Sequence, residues 1–403
     1  MSSISPPRTR TMTGSPVWPV ILGISLCHML NDVIQSLLAA VYPLLRDEFA
    51  LSFWQIGMMT FAFQVTASLL QPAIGMATDR RPAPMALPVG MGFSLIGLIA
   101  LARADSYAML LIGAMMVGLG SAVFHPEASR VARLASGGRF GTAQSVFQVG
   151  GNFGTAIGPL LAAFIVVPFG RPVIAWFSLI ALGGMIVLWQ IGAWYGRVQR
   201  AAASRPPVSR ALPLPRRRVV WAIGVLAVLV FTKNIYTASI SSYYTFFLID
   251  RFGLETQQAQ MMLFLFLGAA ALGVILGGPV GDRFGPQTVI WFSILGVLPF
   301  TLMLPHASLF WTGVLSVLIG VIIASAFPAM VVLAQELVPG RIGLISGLFF
   351  GFAFGMGGIA AAALGVLADS RGIGFVYQLC AFLPLLGLLT VFLPRRSELT
   401  GAV

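Results

Sequence analysis

The first long apolar segment of this 403-residue chain carries a row of polar side chains on one helix face. The row follows the three-, four- and seven-residue spacing of such a face and consists of His28, Asn31, Asp32 and Gln35. Hydrocarbon around a carboxyl favours its neutral form, so Asp32 at mid-segment can take up and release a proton. We predict proton coupling at Asp32 and His28 and solute binding at Asn31 and Gln35. A structural Asp32, bonded permanently to a neighbouring helix, is the alternative.

A second group of ionisable residues lies in the fourth apolar segment, around Pro126, which loosens the helix. His125 and Glu127 flank the proline, and Arg130 follows Glu127 at the three-residue spacing of a helical ion pair. This place near the end of the segment suits a gate or a proton exit. We predict proton coupling by His125 and Glu127 and gating by Arg130. A plain interfacial salt bridge explains the last two equally well.

Two further segments carry rows of amides at helical spacing. Gln64 lies in the second segment, and Gln148 and Asn152 lie in the fifth, each among other polar residues of the same face. A hydrogen bond between helices would explain any single glutamine. Three such rows together favour a water-filled cavity, so we predict that Gln64, Gln148 and Asn152 contact the solute.

Lys233 is the embedded formal charge of the second half of the chain. With Tyr244 and two hydroxyl residues it forms another row, which faces the Asp32 row if the halves are related by symmetry. We predict that Lys233, Asn234 and Tyr244 bind the solute. Lys233 would pair with Asp32 when the cavity is empty and turn to an anionic solute when it is full. A packing lysine, or one that reaches to the lipid surface, is the alternative.

The composition places these residues in a membrane protein. The chain is 58% hydrophobic and only 9% charged, against roughly 25% charged residues in soluble domains. Its apolar runs have the length of about 20 residues that crosses a bilayer. We predict an all-α membrane protein of twelve transmembrane helices at approximately 18–45, 54–78, 84–102, 107–131, 141–167, 172–194, 219–249, 258–281, 286–304, 308–333, 342–367 and 373–393.

The arginines predict the orientation. With the N-terminus inside, 18 basic residues fall on the cytoplasmic side, five fall outside, and Lys233 lies within a span. This positive-inside bias puts both termini in the cytoplasm. The net charge of +12 therefore sets topology and favours anionic lipid headgroups, and we expect no nucleic-acid partner.

The chain divides into two halves that repeat. We predict an N-terminal tail (1–17), a six-helix bundle (18–194), a basic linker (195–218), a second six-helix bundle (219–394) and a C-terminal tail (395–403). Three sequence echoes relate the halves at offsets of 203, 202 and 202 residues. The first is a GxxxDR motif, which consists of Gly75, Asp79 and Arg80 after the second span and of Gly278, Asp282 and Arg283 after the eighth.

Six plus six spans with a basic linker and a duplicated GxxxDR motif resemble the major facilitator superfamily. The resemblance implies two pseudo-symmetric bundles that rock about a central site, and it implies that the six GxxxDR residues steady one conformation. Gly154, Gly158 and Pro159 in the fifth span look like the GxxxGP element of proton-driven drug antiporters. This implies a conformational role for them, although small residues four apart are also a common packing motif.

Three stretches of the first half, residues 28–36, 123–130 and 144–154, look like the fosmidomycin resistance proteins, a group of bacterial efflux transporters. That resemblance implies proton-driven export of small toxic compounds, including a phosphonate antibiotic. It also implies residence in the bacterial cytoplasmic (inner) membrane.

The function expected is therefore a proton-coupled antiporter, with a small solute, protons and the lipid bilayer as partners. Proton-coupled uptake is the rival, since buried charges do not reveal direction. An enzyme is disfavoured because the three histidines show no HExxH spacing and no catalytic constellation is visible. A passive channel would not need a titratable acid at mid-membrane. We expect no cofactor, no metal and a monomer.

Overall fold

A computed structural model describes residues 15–203, 212–395 and 398–399 of the chain, and in these ranges the structure is helical with no strand. Twelve transmembrane helices follow one another, and a short helix, Tyr42–Glu48, follows the first. Their bounds are α1 Trp18–Ala40; α2 Phe53–Gln64, Val65–Leu69 and Leu70–Arg80; α3 Ala86–Ala102; α4 Tyr107–Ala135; α5 Phe140–Leu161, Ala162–Val166 and Val167–Phe169; α6 Arg171–Trp176 and Phe177–Ala203; α7 Arg216–Phe252; α8 Thr256–Phe284; α9 Pro286–Ile294, Leu298–Met303 and Leu304–His306; α10 Leu309–Ala324 and Ala326–Leu337; α11 Ile342–Arg371; and α12 Ile373–Ala381 and Leu383–Phe392.

The predicted all-α architecture of twelve spans is confirmed. Ten helices in the described ranges are long and apolar enough to cross a membrane, and Ala86–Ala102 is a shorter apolar helix. The twelfth, α2, is interrupted by a π-helical stretch over Val65–Leu69. Two features account for the interruption. Pro72 lacks the N–H of the regular helix ladder, and the Thr66 hydroxyl donates back to the carbonyls of Ala62 and Phe63, at 2.9 Å each.

The connection between the two helices that join the halves is shorter than the predicted linker, residues 195–218. Residues 195–203 continue α6, and α7 begins at Arg216, so both ends of the 195–218 stretch are helical. Helix-favouring Arg, Gln and Ala side chains fill 195–203, and Tyr195 at its start is fully buried. Residues 204–211 lie outside the described ranges, as do most of the two predicted tails. We call the side of the molecule on which α6 ends and α7 begins the linker face.

The two halves touch along two helix pairs, α2 with α11 and α5 with α8. Each contact needs a glycine, because a Cβ on Gly75 would overlap the carbonyl of Gly343, and a Cβ on Gly278 would approach the carbonyl of Gly141 to 2.6 Å. Both pairs lie where α2 and α8 end and where α5 and α11 begin. The halves are therefore in direct backbone contact at the linker face.

The α2–α11 contact ends part-way through the membrane. Glycines recur every four residues along α11, and a Cβ on Gly347 would overlap the carbonyl of Gln71, while one on Gly351 would lie 2.5 Å from the carbonyl of Ser68. Gly355, one turn further from the linker face, would meet nothing within 4 Å. The two halves are thus closed together from the linker face to the level of Gly351 and separate beyond it along this pair.

Candidate functional site

Asp32 lies at the centre of a buried polar cluster between α1 and α4. His28 Nε2 is 3.5 Å from Asp32 Oδ2, and His125 Nε2 is 3.7 Å from Asp32 Oδ1. The amides of Asn31 and Gln35 donate to Oδ1 at 3.1 and 2.8 Å. The Asp32 side chain is 8% exposed and the two histidine side chains at most 1%, so these groups are almost completely removed from solvent.

The hydrogen bonds of the two imidazoles assign their tautomers. Nδ1 of His28 lies 2.8 Å from the carbonyl of Phe147, and Nδ1 of His125 lies 3.0 Å from that of Ser121. A neutral imidazole facing a carbonyl carries its proton on that nitrogen, which leaves Nε2 as an acceptor. Both Nε2 atoms are directed at Asp32. A protonated Asp32 can therefore donate to either ring, and an ionised Asp32 can pair with either ring once that ring is protonated.

Glycines of α5 allow this cluster to form. A Cβ on Gly151 would overlap the His28 ring and lie 2.9 Å from Asp32 Oδ2. A Cβ on Gly154 would overlap the carbonyl of Met29, and a Cβ on Gly158 would overlap the hydroxyl of Ser36. The GxxxGP glycines thus bring α5 against α1, and Pro159 precedes the π-helical stretch Ala162–Val166.

At the linker face, each half holds the start of a helix from the other half. Asp79 at the end of α2 accepts the backbone N–H groups of Gly343 and Leu344 at 2.9 and 2.8 Å. Asp282 at the end of α8 accepts those of Gly141 and Thr142 at 2.7 and 2.9 Å. A carboxylate here satisfies otherwise unpaired N–H groups and faces the positive end of the helix dipole. We call these two arrangements the Asp79 clamp and the Asp282 clamp.

Arg130 of α4 reinforces the Asp79 clamp from within the first half. Its guanidinium pairs with Asp79 at 2.5 Å and with Glu127 at 2.8 Å, and it donates to the carbonyl of Thr78 at 3.1 Å. The predicted pairing of Glu127 with Arg130 is therefore present. Glu127 belongs to this charged group, and the structure places it apart from the cluster of Asp32, His28 and His125.

Comparison with known proteins decides the family. A sequence profile of the Major Facilitator Superfamily matches residues 24–362 and 257–402. The chain belongs to the Major Facilitator Superfamily. This superfamily protein is 60% identical over 379 residues to the fosmidomycin resistance protein of Escherichia coli (strain K12), covering 94% of the chain and 93% of that protein. It is 41% identical over 406 residues to the MFS-type transporter YfnC of Bacillus subtilis (strain 168), covering 99% of each.

Solved structures give the same fold. FucP in its outward conformation superposes with a TM-score of 0.72 at 16% identity, covering 94% of this chain and 99% of that one. The human organic anion transporter MFSD10 gives 0.73 at 17% identity, covering 94% and 100%. The resemblance to this superfamily drawn from the sequence is confirmed. The protein is a multi-pass membrane transporter built on the superfamily's two six-helix bundles.

A polar network between the clamps of this superfamily protein was not predicted from its sequence. Gln335 of α10 donates to the hydroxyls of Ser129 and Ser346 at 3.0 and 2.8 Å and accepts from Arg133 at 3.1 Å. Ser129 in turn donates to Gln144 at 3.0 Å. The 202-residue repeat offset relates Arg133 to Gln335 and Gln144 to Ser346. This correspondence is the feature of the sequence from which the network could have been predicted. The network joins four helices of both halves near the pseudo-two-fold axis.

A cavity of about 650 Å³ lies between the halves at the linker face of the superfamily protein. Its lining includes Arg133, Asp282, Gln335 and Glu336. Charged side chains of both halves thus surround a space just outside the buried network. Arg80 and Arg283, the arginines of the GxxxDR motifs, are exposed on the same face.

The remaining predicted solute-binding residues lie in several places. Gln148 donates to Asn152 at 3.4 Å, both half-buried on α5, and Gln64 is half-buried on α2 just before the π-helical stretch. Asn234 donates to the carbonyl of Ala353 in α11 at 3.3 Å. Tyr244 is fully buried in the core of the second half, where its hydroxyl donates to the carbonyl of Thr312 at 3.3 Å.

Lys233 does not form the predicted pair with Asp32 in this conformation. Its ammonium lies over the ring of Phe327, 5.4 Å from the centroid, and the Asp32 carboxyl faces the two histidines instead. The exchange of Lys233 between Asp32 and a solute stays a prediction.

Among the residues that the structure describes, Asp32, His28 and His125 form the group whose side chains could together bind a metal ion. Its ligand atoms lie within 4.8 Å of one another. Asn31 and Gln35 donate to Asp32 Oδ1, so Oδ2 is the more available carboxylate oxygen for an ion.

The Asp79 clamp yields a direct prediction for the start of α11. In Asp79→Asn one amide oxygen replaces two carboxylate acceptors, so an N–H of Gly343 or Leu344 loses its partner. We expect amide hydrogen exchange there to speed up by at least about tenfold, since each hydrogen bond to a charged acceptor contributes roughly 1.5–3 kcal/mol. Exchange mass spectrometry of peptides covering 342–346 measures this.

The start of α5, which Asp282 holds, is the internal comparison in the same sample. Its exchange should stay at the wild-type rate, and the exposed Arg81→Gln should leave both helix starts unchanged. Wild-type exchange at Gly343 and Leu344 in Asp79→Asn would show that the carboxylate does not hold α11.

Proposed function

We propose that this transporter exports small toxic compounds, fosmidomycin-like phosphonates among them, in exchange for protons. The observation that carries the proposal is the carboxyl of Asp32, buried between two imidazoles whose acceptor nitrogens face it. A charged residue at the bilayer centre costs at least ~2.5 kcal/mol, and such residues mark ion pathways and proton relays. Three titratable groups in contact are suited to holding a proton in one conformation and releasing it in the other.

The 60% identity to a fosmidomycin resistance protein supports export and the class of compound. The GxxxGP residues of α5 support export as well, because they resemble the GxxxGP element of proton-driven drug antiporters. Proton-coupled uptake is the rival function. We propose no catalytic activity, no cofactor and a monomeric assembly.

The arginine distribution supports a linker face in the cytoplasm, with both termini on that side of a bacterial inner membrane. The clamps and the polar network then close the transporter towards the cytoplasm. In this conformation protons would reach Asp32 from outside, where α2 and α11 separate beyond Gly351. Protonation of Asp32 would release the solute, and the return step would open the linker face and deliver the proton inside.

Roles for the other residues follow from their positions. His28 and His125 share the proton of Asp32, and Glu127 acts with Arg130 on the inward path. The solute contacts the buried Asn31 and the half-buried polar residues of both halves: Gln35, Gln64, Gln148, Asn152, Lys233 and Asn234. Tyr244, predicted to bind the solute, is given no solute contact here because it is fully buried in the core of the second half. Gating belongs to the two GxxxDR motifs, to Arg130 and to the α5 residues Gly154, Gly158 and Pro159.

Growth of a drug-sensitive bacterium tests the proposal. Cells that express the protein should grow at several-fold higher fosmidomycin concentration than cells with an empty vector. A panel of other toxic compounds would show how wide the protection is. The control is the uptake of labelled fosmidomycin into energy-depleted cells. It should be the same in cells that express the protein and in cells with the empty vector, because both must take up the antibiotic equally. Unchanged sensitivity to every compound, with the protein present in the membrane, would overturn export as its function.

A further inference from the structure

Lys233 is a cation at membrane depth with no ionic partner among the residues that the structure describes. It lies near the middle of α7, half-buried, with its ammonium over the Phe327 ring of α10. No carboxylate lies within ion-pair distance of it in the part of the chain that the structure describes. An aromatic face offsets only part of the cost of burying an ammonium. Its three N–H donors are therefore available to an acceptor that the described side chains do not supply.

The internal repeat shows what this position corresponds to. A shift of 202 residues relates Asn31 to Lys233, Asp32 to Asn234 and His125 to Phe327. In the first half, the acid on α1 contacts an imidazole on α4. Between α7 and α10, the Lys233 ammonium lies over Phe327, the residue equivalent to His125. Lys233 is the repeat-mate of Asn31, so the second half carries a cation one residue before the position at which the first half carries its acid.

A continuous row of aromatic contacts connects the two positions. Phe327 packs edge-on against Phe350 of α11, with ring centroids 5.2 Å apart, and Phe350 packs against His125 at 5.3 Å. His125 is one of the two imidazole rings that face Asp32. Phe350 thus belongs to the second half and touches the proton cluster of the first. A solute bound at Lys233 would find apolar ring surface beside its charged group.

From these contacts we infer that Lys233 is the anion-recognition group of the transport site and that Phe327 positions it. The inference rests on the proposed function and deepens it by naming the residue that recognises the anionic group of the solute. The solute carries a phosphonate, phosphate or carboxylate, whose oxygens accept the N–H groups of Lys233, and an apolar part that packs on the rings. Asp32 is unsuited to this task because its Oδ1 already accepts two amides and both its oxygens face histidines.

Binding of two compounds that differ in charge tests the inference. Calorimetry on the purified protein in lipid nanodiscs compares fosmidomycin, a phosphonate anion, with its uncharged diethyl ester. Wild type should prefer the anion. Lys233→Met should weaken fosmidomycin binding by about 10- to 100-fold, the value of a hydrogen bond to a charged group, and leave ester binding within about twofold. Lys233→Arg should keep most of the preference.

The positioning role of the Phe327 ring is tested by a matched pair of variants. Phe327→Leu should weaken fosmidomycin binding several-fold without changing ester binding, while Phe327→Tyr, which keeps the aromatic face, should bind as wild type does. A purely structural role of Phe327 would change both compounds equally.

The outcomes separate this inference from the proposed function. If wild type protects cells and binds fosmidomycin, but Lys233→Met binds it with unchanged affinity, the anion-recognition role is wrong and export stands. Equal losses for the anion and the ester in Lys233→Met would likewise overturn the role. If wild type neither protects cells nor binds either compound, the proposed function falls and this inference falls with it.

Discussion

Asp32→Asn should abolish proton-driven transport while leaving a folded protein that still binds its solute. Asparagine keeps the size and the amide-accepting oxygen of Asp32 but cannot exchange a proton with His28 or His125. Removal of a positioned proton-transfer group typically slows a reaction by about 10²- to 10⁴-fold. We therefore expect uptake of labelled fosmidomycin into inverted membrane vesicles to lose at least about 100-fold in rate when a proton gradient drives it.

The matched control is Asp105→Asn, which makes the same chemical change at an exposed residue between α3 and α4. It should transport as wild type does. Solute exchange without a gradient gives a second reading, since it needs only the rocking of the halves and should persist in Asp32→Asn. Gradient-driven transport at the wild-type rate in Asp32→Asn would show that the proton is carried elsewhere.

Gly75→Ala should prevent the linker face from closing. The added Cβ would overlap the backbone of Gly343, which has no flexible side chain to move aside. Overpacking of this kind typically costs 1–3 kcal/mol, a shift of about 5- to 150-fold in the ratio of closed to open linker face. Spin labels at the exposed Arg81 and Arg341, one on each half, report that ratio as a distance distribution.

We expect the short-distance population of wild type to give way to a longer one, with loss of fosmidomycin resistance in cells. The comparison is Gly355→Ala, where a Cβ on α11 meets nothing within 4 Å. It adds the same methyl group and should leave both the distances and the resistance unchanged. A wild-type distance distribution in Gly75→Ala would show that the glycine contact does not control closure.

The helices were predictable because their length and apolarity are local properties of the sequence. The predicted ends agree with the structure to within a few residues at most spans, for example 342–367 against Ile342–Arg371. The exceptions depend on particular residues. The π-helical stretch in α2 contains Thr66 and lies just before Pro72, and the extension of α6 to Ala203 is formed by helix-favouring residues beyond the membrane.

The candidate site was predictable only along single helices. Helical spacing was enough to place His28 beside Asp32 and Glu127 beside Arg130. It could not bring His125 to Asp32 from another helix, nor Asp79 to Arg130 across 51 residues of chain, because these contacts depend on how the helices pack. The partner of Lys233 was also missed. The pseudo-symmetry of the halves suggested Asp32 as the partner of Lys233. The observed contact is with Phe327, which the same 202-residue repeat relates to His125.

Proton movement on addition of solute tests the central claim most directly. Proteoliposomes that contain the purified protein and an internal pH dye, with no imposed gradient, receive fosmidomycin on one side. An antiporter predicts that solute entry drives protons out, so the interior becomes more alkaline in wild type and stays constant in Asp32→Asn. Entry of fosmidomycin without any proton movement, or acidification of the interior as solute enters, would contradict proton-coupled antiport.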